Sequence, residues 1–203
     1  MAGRENICRY LDLPVQHIDD AILHAMNRRV DSQSIRDIIR QARGRMPDLA
    51  LRTSLIVGFP GETPKRFERL LDFVRETRFD HLGVFTYSRE EDTPAANRPS
   101  RISEKEKERR RDAIMSEQAD ISHAVNQTLI RSVQEVLIEG ISDRPDFAWI
   151  GRCRRQAPDV DGITYLKNGP VSPGDFVRCR ITGADHYDLF GEILFDNCEK
   201  MKL

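Results

Sequence analysis

Thr53-Ser54-Leu55-Ile56-Val57-Gly58-Phe59-Pro60-Gly61-Glu62 is an apolar run that enters a glycine- and proline-bearing turn and ends on a carboxylate, just before an amphipathic helix. Leu55, Ile56 and Val57 predict a strand buried on both faces, as parallel strands in α/β proteins are. Gly58 and Gly61 let the chain turn tightly and bring bare backbone close to a bound molecule. An ordinary strand-to-helix turn reads the same way, so the flanking sequence has to decide.

Downstream, Thr63-Pro64 supplies an N-cap and a proline at the first helical position, and Phe67, Leu70, Leu71 and Val74 repeat with helical spacing. His81 to Tyr87 then reads as a strand. Upstream, Tyr10 to Val15 reads as a short strand. Asp19 and Asp20 announce a helix with Ile22, Met26 and Val30 as its apolar stripe, and a second helix from about Ser34 buries Ile35, Ile38 and Ile39. The order strand, helices, strand, helix, strand predicts an α/β unit of parallel strands with helical crossovers.

After Thr93-Pro94 the sequence turns polar, and a charged helix is expected from Ser103 to Leu129, with Ile114, Ile121, Val125 and Leu129 on its buried edge. Ser103 with Glu106 fits a capping box. The run Arg109-Arg110-Arg111 reads as a solvated helix face. From Ser132 the pattern changes to short β segments at 133–139, 148–153, 162–166, 176–182 and 188–194, which predicts a five-stranded antiparallel barrel of the oligonucleotide-binding type. The expected domains are therefore 1–131, α/β, and 132–203, all-β.

The chain has 203 residues, 39% of them hydrophobic, which suits a soluble globular protein. No apolar run reaches the roughly 18–20 residues of a membrane span, and the first residues lack the apolar stretch of a signal peptide, so a cytoplasmic location is expected. Residues 132–203 hold 9 Lys and Arg against 12 Asp and Glu, and residues 1–131 hold 23 against 21. The acidic balance of the C-terminal part is a poor grip on a phosphate backbone. Arg152, Arg154 and Arg155 make a local basic spot or a solvated loop. Cys8, Cys153, Cys179 and Cys198 show no metal-binding spacing, and the five histidines form no pair at helical spacing, so no metal site is read from them.

Four segments stand in register: Leu13-Pro14-Val15-Gln16-His17; Ile56 to Thr63; Gly83 to Ser88 with Thr93-Pro94-Ala95; and Val136 to Gly140. Together they resemble the C-terminal half of the radical S-adenosylmethionine methylthiotransferases, and the last region resembles their TRAM domain. The stretch from Arg152 to Gly162, with Asp185 to Leu189 and Gly191-Glu192, is similar to the RimO-type branch. The resemblance implies addition of a methylthio group to an aspartate β-carbon of the twelfth small-subunit ribosomal protein. A basic ribosomal protein also suits an acidic C-terminal domain. A fragment of a transfer-RNA adenosine methylthiotransferase, or a non-catalytic TRAM module holding RNA or protein, are the alternatives.

The resemblance further implies that Ile56, Val57 and Gly58 lie against the adenine of S-adenosylmethionine, with backbone amides bonding its edge. Gln16 would reach the ribose or amino-acid end, and Phe85 and Tyr87 either close the next wall or are core aromatics. Ser54 stands where the family strand motif has its first glycine. Glu62 reads as a carboxylate at a helix N-terminus. The family's CxxxCxxC motif for a [4Fe–4S] cluster, and the N-terminal domain with a second cluster, have no counterpart in these residues. This chain alone is therefore expected to be inert. The missing N-terminal half is an expected partner, in cis or in trans, since Tyr10 to Val15 would form a bare sheet edge.

Overall fold

The apolar run at 53–57 is the end of the middle strand of a three-stranded parallel sheet. β2 (Ala50–Val57) lies between β1 (Tyr10–Asp12) and β3 (His81–Thr86), and both pairings are parallel. Parallel neighbours cannot be joined by hairpins. Accordingly α1 (Asp20–Ala25) and α2 (Ser32–Arg45) connect β1 to β2, and α3 (Pro64–Thr77) connects β2 to β3. The computed structural model describes residues 1–4, 6–91, 93–98, 102–167 and 169–195, arranged as two compact units, Met1–Ser122 and His123–Leu203.

β2 departs from the expectation of burial on both faces. Leu55 and Val57 are buried, whereas Arg52, Ser54 and Ile56 are only partly covered, so one face packs on the core and Ile56, on the other, lines a cavity. β1 stops at Asp12 rather than running on to Val15. Pro14 has no N–H to give to a ladder. The chain rejoins the sheet at Gln16, whose N–H donates to Ser54 O at 2.9 Å and whose carbonyl accepts from Ile56 N–H at 2.8 Å.

The helix readings hold in existence and differ in face. The Asp19 carboxylate caps α1 by accepting from the N–H groups of Ala21 and Ile22. That helix ends at Ala25 because Asn27 takes a left-handed φ of 58°, a conformation asparagine tolerates. Met26 is thus the C-cap, Val30 is exposed, and the buried pair is Ile22 and Leu23 rather than the Ile22, Met26, Val30 stripe. In α2, Ile35 and Ile39 are buried while Ile38 faces solvent. α3 begins as expected at Thr63-Pro64 and buries Phe67, Leu70 and Val74, joined by Phe73. Each such side chain contributes about 1.5–3 kcal/mol relative to staying exposed.

The charged helix is α4 (Glu104–Gln127), with Ile114 and Ile121 buried. Glu106 N–H donates to Ser103 Oγ at 3.3 Å, but the Glu106 carboxylate turns to Arg109 and Arg110, so only half of the capping box forms. The arginine run is not a uniform solvated face. Arg109 points outward, whereas Arg110 is 3% exposed.

The second unit is a closed barrel of β4 (Val133–Ile141), β5 (Trp149–Cys153), β6 (Thr164–Leu166), β7 (Phe176–Ala184) and β8 (Leu189–Leu194), in the order β4-β5-β6-β8-β7. Its pairings are antiparallel except β6 with β8, which is parallel. Val136, Ile138, Leu166, Ile181 and Leu189 fill the interior together with Cys153 and Cys179. Closure leaves no free edge. No helix of the described residues is long and apolar enough to cross a membrane.

Candidate functional site

A cavity of about 800 Å³ opens at the carboxyl ends of β2 and β3, where ligands of open parallel sheets bind. Gln16, Ile56, Phe59, Phe85, Thr86 and Tyr87 are among its lining residues. Ile56 reaches it because it lies on the uncovered face of β2. Gln16 reaches it because the chain rejoins the sheet there with a left-handed φ of 70°. Phe85 stands 59% exposed on β3, an aromatic surface left uncovered at the mouth. Tyr87 packs edge-on against Phe59, with centroids 5.1 Å apart, and its buried hydroxyl has no hydrogen-bond partner among the described residues. Apolar side chains interleaved with the amides of Gln16 and Asn27, the Tyr87 phenol and the charged Arg28, Glu90 and Arg98 suit a flat heterocycle bearing polar substituents.

The structure therefore brings Gln16, Ile56, Phe85 and Tyr87 to one cavity. Gly58 lines a smaller one of about 210 Å³ that shares Tyr87 with the first. Val57 is fully buried in the core, and Ser54 meets this region through its carbonyl, which holds Gln16. One expectation is corrected. The amides of Ile56 and Gly58 are not available to an adenine edge, because Ile56 N–H donates to Gln16 O and Gly58 N–H to the Glu62 carboxylate.

Behind the mouth lies a knot of charge that sequence reading missed. Glu62 is not a solvated carboxylate on the α3 dipole, since the Thr63 hydroxyl caps that helix and Glu62 turns inward, 2% exposed. Arg110 Nη1 lies 3.3 Å from Glu62 Oε2 and donates to the Glu62 carbonyl at 2.8 Å. His17 Nδ1 accepts from Asp19 N–H at 2.9 Å, which leaves the ring proton on Nε2, 3.7 Å from Glu62 Oε1. Lys107 Nζ donates to Tyr87 O and Glu104 Oε1, each at 2.7 Å, and its stem lies against Gly58. Helical spacing of Lys107 and Arg110, and the adjacency of His17 to Gln16, were the only signals in the sequence.

The thiols do not converge. Cys8 is exposed, whereas Cys153 and Cys179 are buried in the barrel. Burial pushes both barrel thiols up, Cys179 to about 12 with the nearby Cys153 adding to the effect, so the metal-binding thiolate is disfavoured there. Cys198 lies outside the described residues. No three described cysteines meet, and the chain's described thiols do not fit an iron–sulfur cluster.

Residues 2–74 match the Radical SAM superfamily, and residues 131–194 match the TRAM domain. The chain is 62% identical, over 96% of its length and 43% of the relative's, to the ribosomal protein uS12 methylthiotransferase RimO of Syntrophus aciditrophicus (strain SB). It is 51% identical, over 93% of its length and 42% of the relative's, to the protein of that name from Geobacter sulfurreducens. With that of Anaeromyxobacter sp. (strain K) the identity is 47%, over 96% of the chain and 41% of the relative. The chain spans about two-fifths of the length of the curated relatives it matches. The parallel sheet in the segment that matches the Radical SAM superfamily and the closed barrel in the segment that matches the TRAM domain agree with the likeness to these RimO proteins.

Proposed function

We propose that this chain is the C-terminal portion of a ribosomal protein methylthiotransferase, with residues 1–131 holding one side of an S-adenosylmethionine site and residues 132–203 recognising the substrate. The substrate inferred is uS12, a basic protein whose charge complements the acidic balance of the barrel region, 9 cationic against 12 anionic side chains. The carrying observation is the cavity of about 800 Å³ at the carboxyl ends of β2 and β3, within the roughly 300–1,000 Å³ usual for small-molecule sites.

Ile56, Phe85, Gln16 and Tyr87 would hold S-adenosylmethionine here, and the group, once bound, would supply radical hydrogen abstraction. The residues present suit the nucleoside: Ile56, Phe59 and Phe85 offer apolar area and exclude water, Gln16 offers an amide, and the unpartnered Tyr87 hydroxyl offers a hydrogen bond. The knot of Glu62, Arg110 and Lys107 holds the turn after β2 and the end of β3 in place, fixing the mouth. The cluster ligands belong to the matching family and are not supplied by the described cysteines.

Two binding assays test the reading. The chain should retain S-adenosylmethionine in equilibrium dialysis, and Phe85→Ala should weaken it about 10-fold, equivalent to roughly 1.4 kcal/mol of lost aromatic contact. At physiological salt it should also co-purify with uS12 and not with transfer RNA. Retention of RNA alone would assign the chain to RNA modification, and loss of neither binding nor affinity in the Phe85 variant would move the nucleoside elsewhere.

A further inference from the structure

The barrel unit gathers two histidines and an aspartate that the proposed reaction does not use. His123 lies on the last turns of α4, and Asp185 and His186 form the turn between β7 and β8. One potential ligand atom from each residue falls within 4.8 Å of the other two. We propose that His123, Asp185 and His186 form a binding site for a divalent transition-metal ion such as zinc.

The geometry is near closure. Ligand atoms around a tetrahedral ion at 2.0–2.2 Å stand ~3.3 Å apart, so side-chain rotations of about an ångström bring these three onto one ion. The two imidazole rings already lie side by side, with centroids 5.1 Å apart and planes tilted by 40°. His123 Nδ1 is buried and has no hydrogen-bond partner among the described residues, a polar atom that coordination would satisfy. Asp185 Oδ1 lies 3.0 Å from His186 Nδ1 and takes His186 N–H at 2.7 Å, which sets the carboxylate beside the second ring.

The supporting groups are also in place. Asn126 Nδ2 donates to the carbonyls of Asp185 and His186 at 3.3 and 3.2 Å, and Gln127 Nε2 donates to Ala184 O at 3.3 Å while lying 3.4 Å from His123 Nε2. The turn itself is closed by Asp185 N–H donating to Asp188 O at 2.8 Å. Outer-shell bonds of this kind fix ligand orientation before an ion arrives. Two neutral imidazoles and one carboxylate select zinc, nickel or cobalt over magnesium and calcium, which prefer all-oxygen shells. Asp185 and His186 are exposed, so an ion has a path in and open positions for water.

The test is titration of the full chain, free of any affinity-tag histidines, with Co²⁺ and Zn²⁺, followed by visible absorption and calorimetry. One ion per chain is expected, with cobalt d–d bands of low-symmetry coordination and no comparable heat from Mg²⁺. His186→Ala alters an exposed turn residue and should abolish saturable binding with the barrel intact by Trp149 fluorescence. Asn126→Ala, which touches no ion, should weaken binding by about 10-fold. No saturable uptake, or uptake unchanged in His186→Ala and in the His123→Ala/His186→Ala double variant, would overturn the assignment.

Discussion

Substituting alanine at Gly58 should destabilise the first unit in two separable ways. Gly58 has a φ of 78°, and a Cβ there would lie 2.3 Å from Lys107 Cγ and 2.9 Å from Lys107 Cδ. The left-handed backbone costs an L-residue ~1–2 kcal/mol. Displacing the packed Lys107 stem, which is 7% exposed and held by Tyr87 O and Glu104, costs ~1–3 kcal/mol more. The total of ~2–5 kcal/mol is a large share of the stability of a small domain. Gly61→Ala is the control, because its φ of 93° is equally adverse but its Cβ would meet only Arg66 Nη1 at 3.8 Å.

The assay is urea denaturation followed by two probes. α1, α2 and α3 all lie in the first unit, so far-UV ellipticity follows it, whereas Trp149 fluorescence follows the barrel. Gly58→Ala should lower the first midpoint more than Gly61→Ala and leave the second unmoved. Adding Lys107→Ala removes the colliding atoms, so the double variant should be more stable than the two single effects added, by ~1–3 kcal/mol. Equal losses in both glycine variants, or strict additivity with Lys107→Ala, would refute the close-approach argument.

Glu106 is held at about 2, below its ordinary 4.5, chiefly by hydrogen bonds from Arg109 and then Arg110. Its contribution should be complete above pH 4.5 and decline as pH falls toward 2, so Glu106→Gln should flatten part of the acid limb of the stability profile, less so at high salt. Under native conditions iodoacetamide should modify Cys8 and spare Cys153 and Cys179 until the barrel is denatured, as read by peptide mass spectrometry. Gly191→Ala would place a Cβ 2.2 Å from Cys179 Sγ and 2.8 Å from Arg180 O, so it should lower the Trp149 transition while the ellipticity of the first unit holds.

The strand, turn and helix from Ala50 to Thr77 were legible because each signal is local: an apolar run, two glycines with positive φ, a threonine cap and a helical period. The five barrel strands were legible for the same reason. The α1 stripe misled because apolar spacing continues to Val30 while Asn27 has already left the helical region. Arg110 was hidden because a triple arginine gives no sign of which member turns inward, and its partner Glu62 lies 48 positions away. Likewise no spacing rule joins His123 to the β7–β8 turn, since only barrel closure carries that turn to the helix end. Gln16 lines the cavity, but nothing in the sequence signalled its tie to Ser54 and Ile56, which takes up an amide expected to face a ligand.

The Lys107 contact makes α4 a thermodynamic partner of the cavity. One ammonium fixes the carbonyl just beyond β3 while its methylenes brace the first residue beyond β2, so one side chain of the helix touches both strand ends. A ligand that prefers the closed spacing must favour the seated helix, and by linkage anything that seats the helix must raise affinity for that ligand by the same factor. Occupancy at the mouth is then readable at a distance, as protection of α4 amides against exchange.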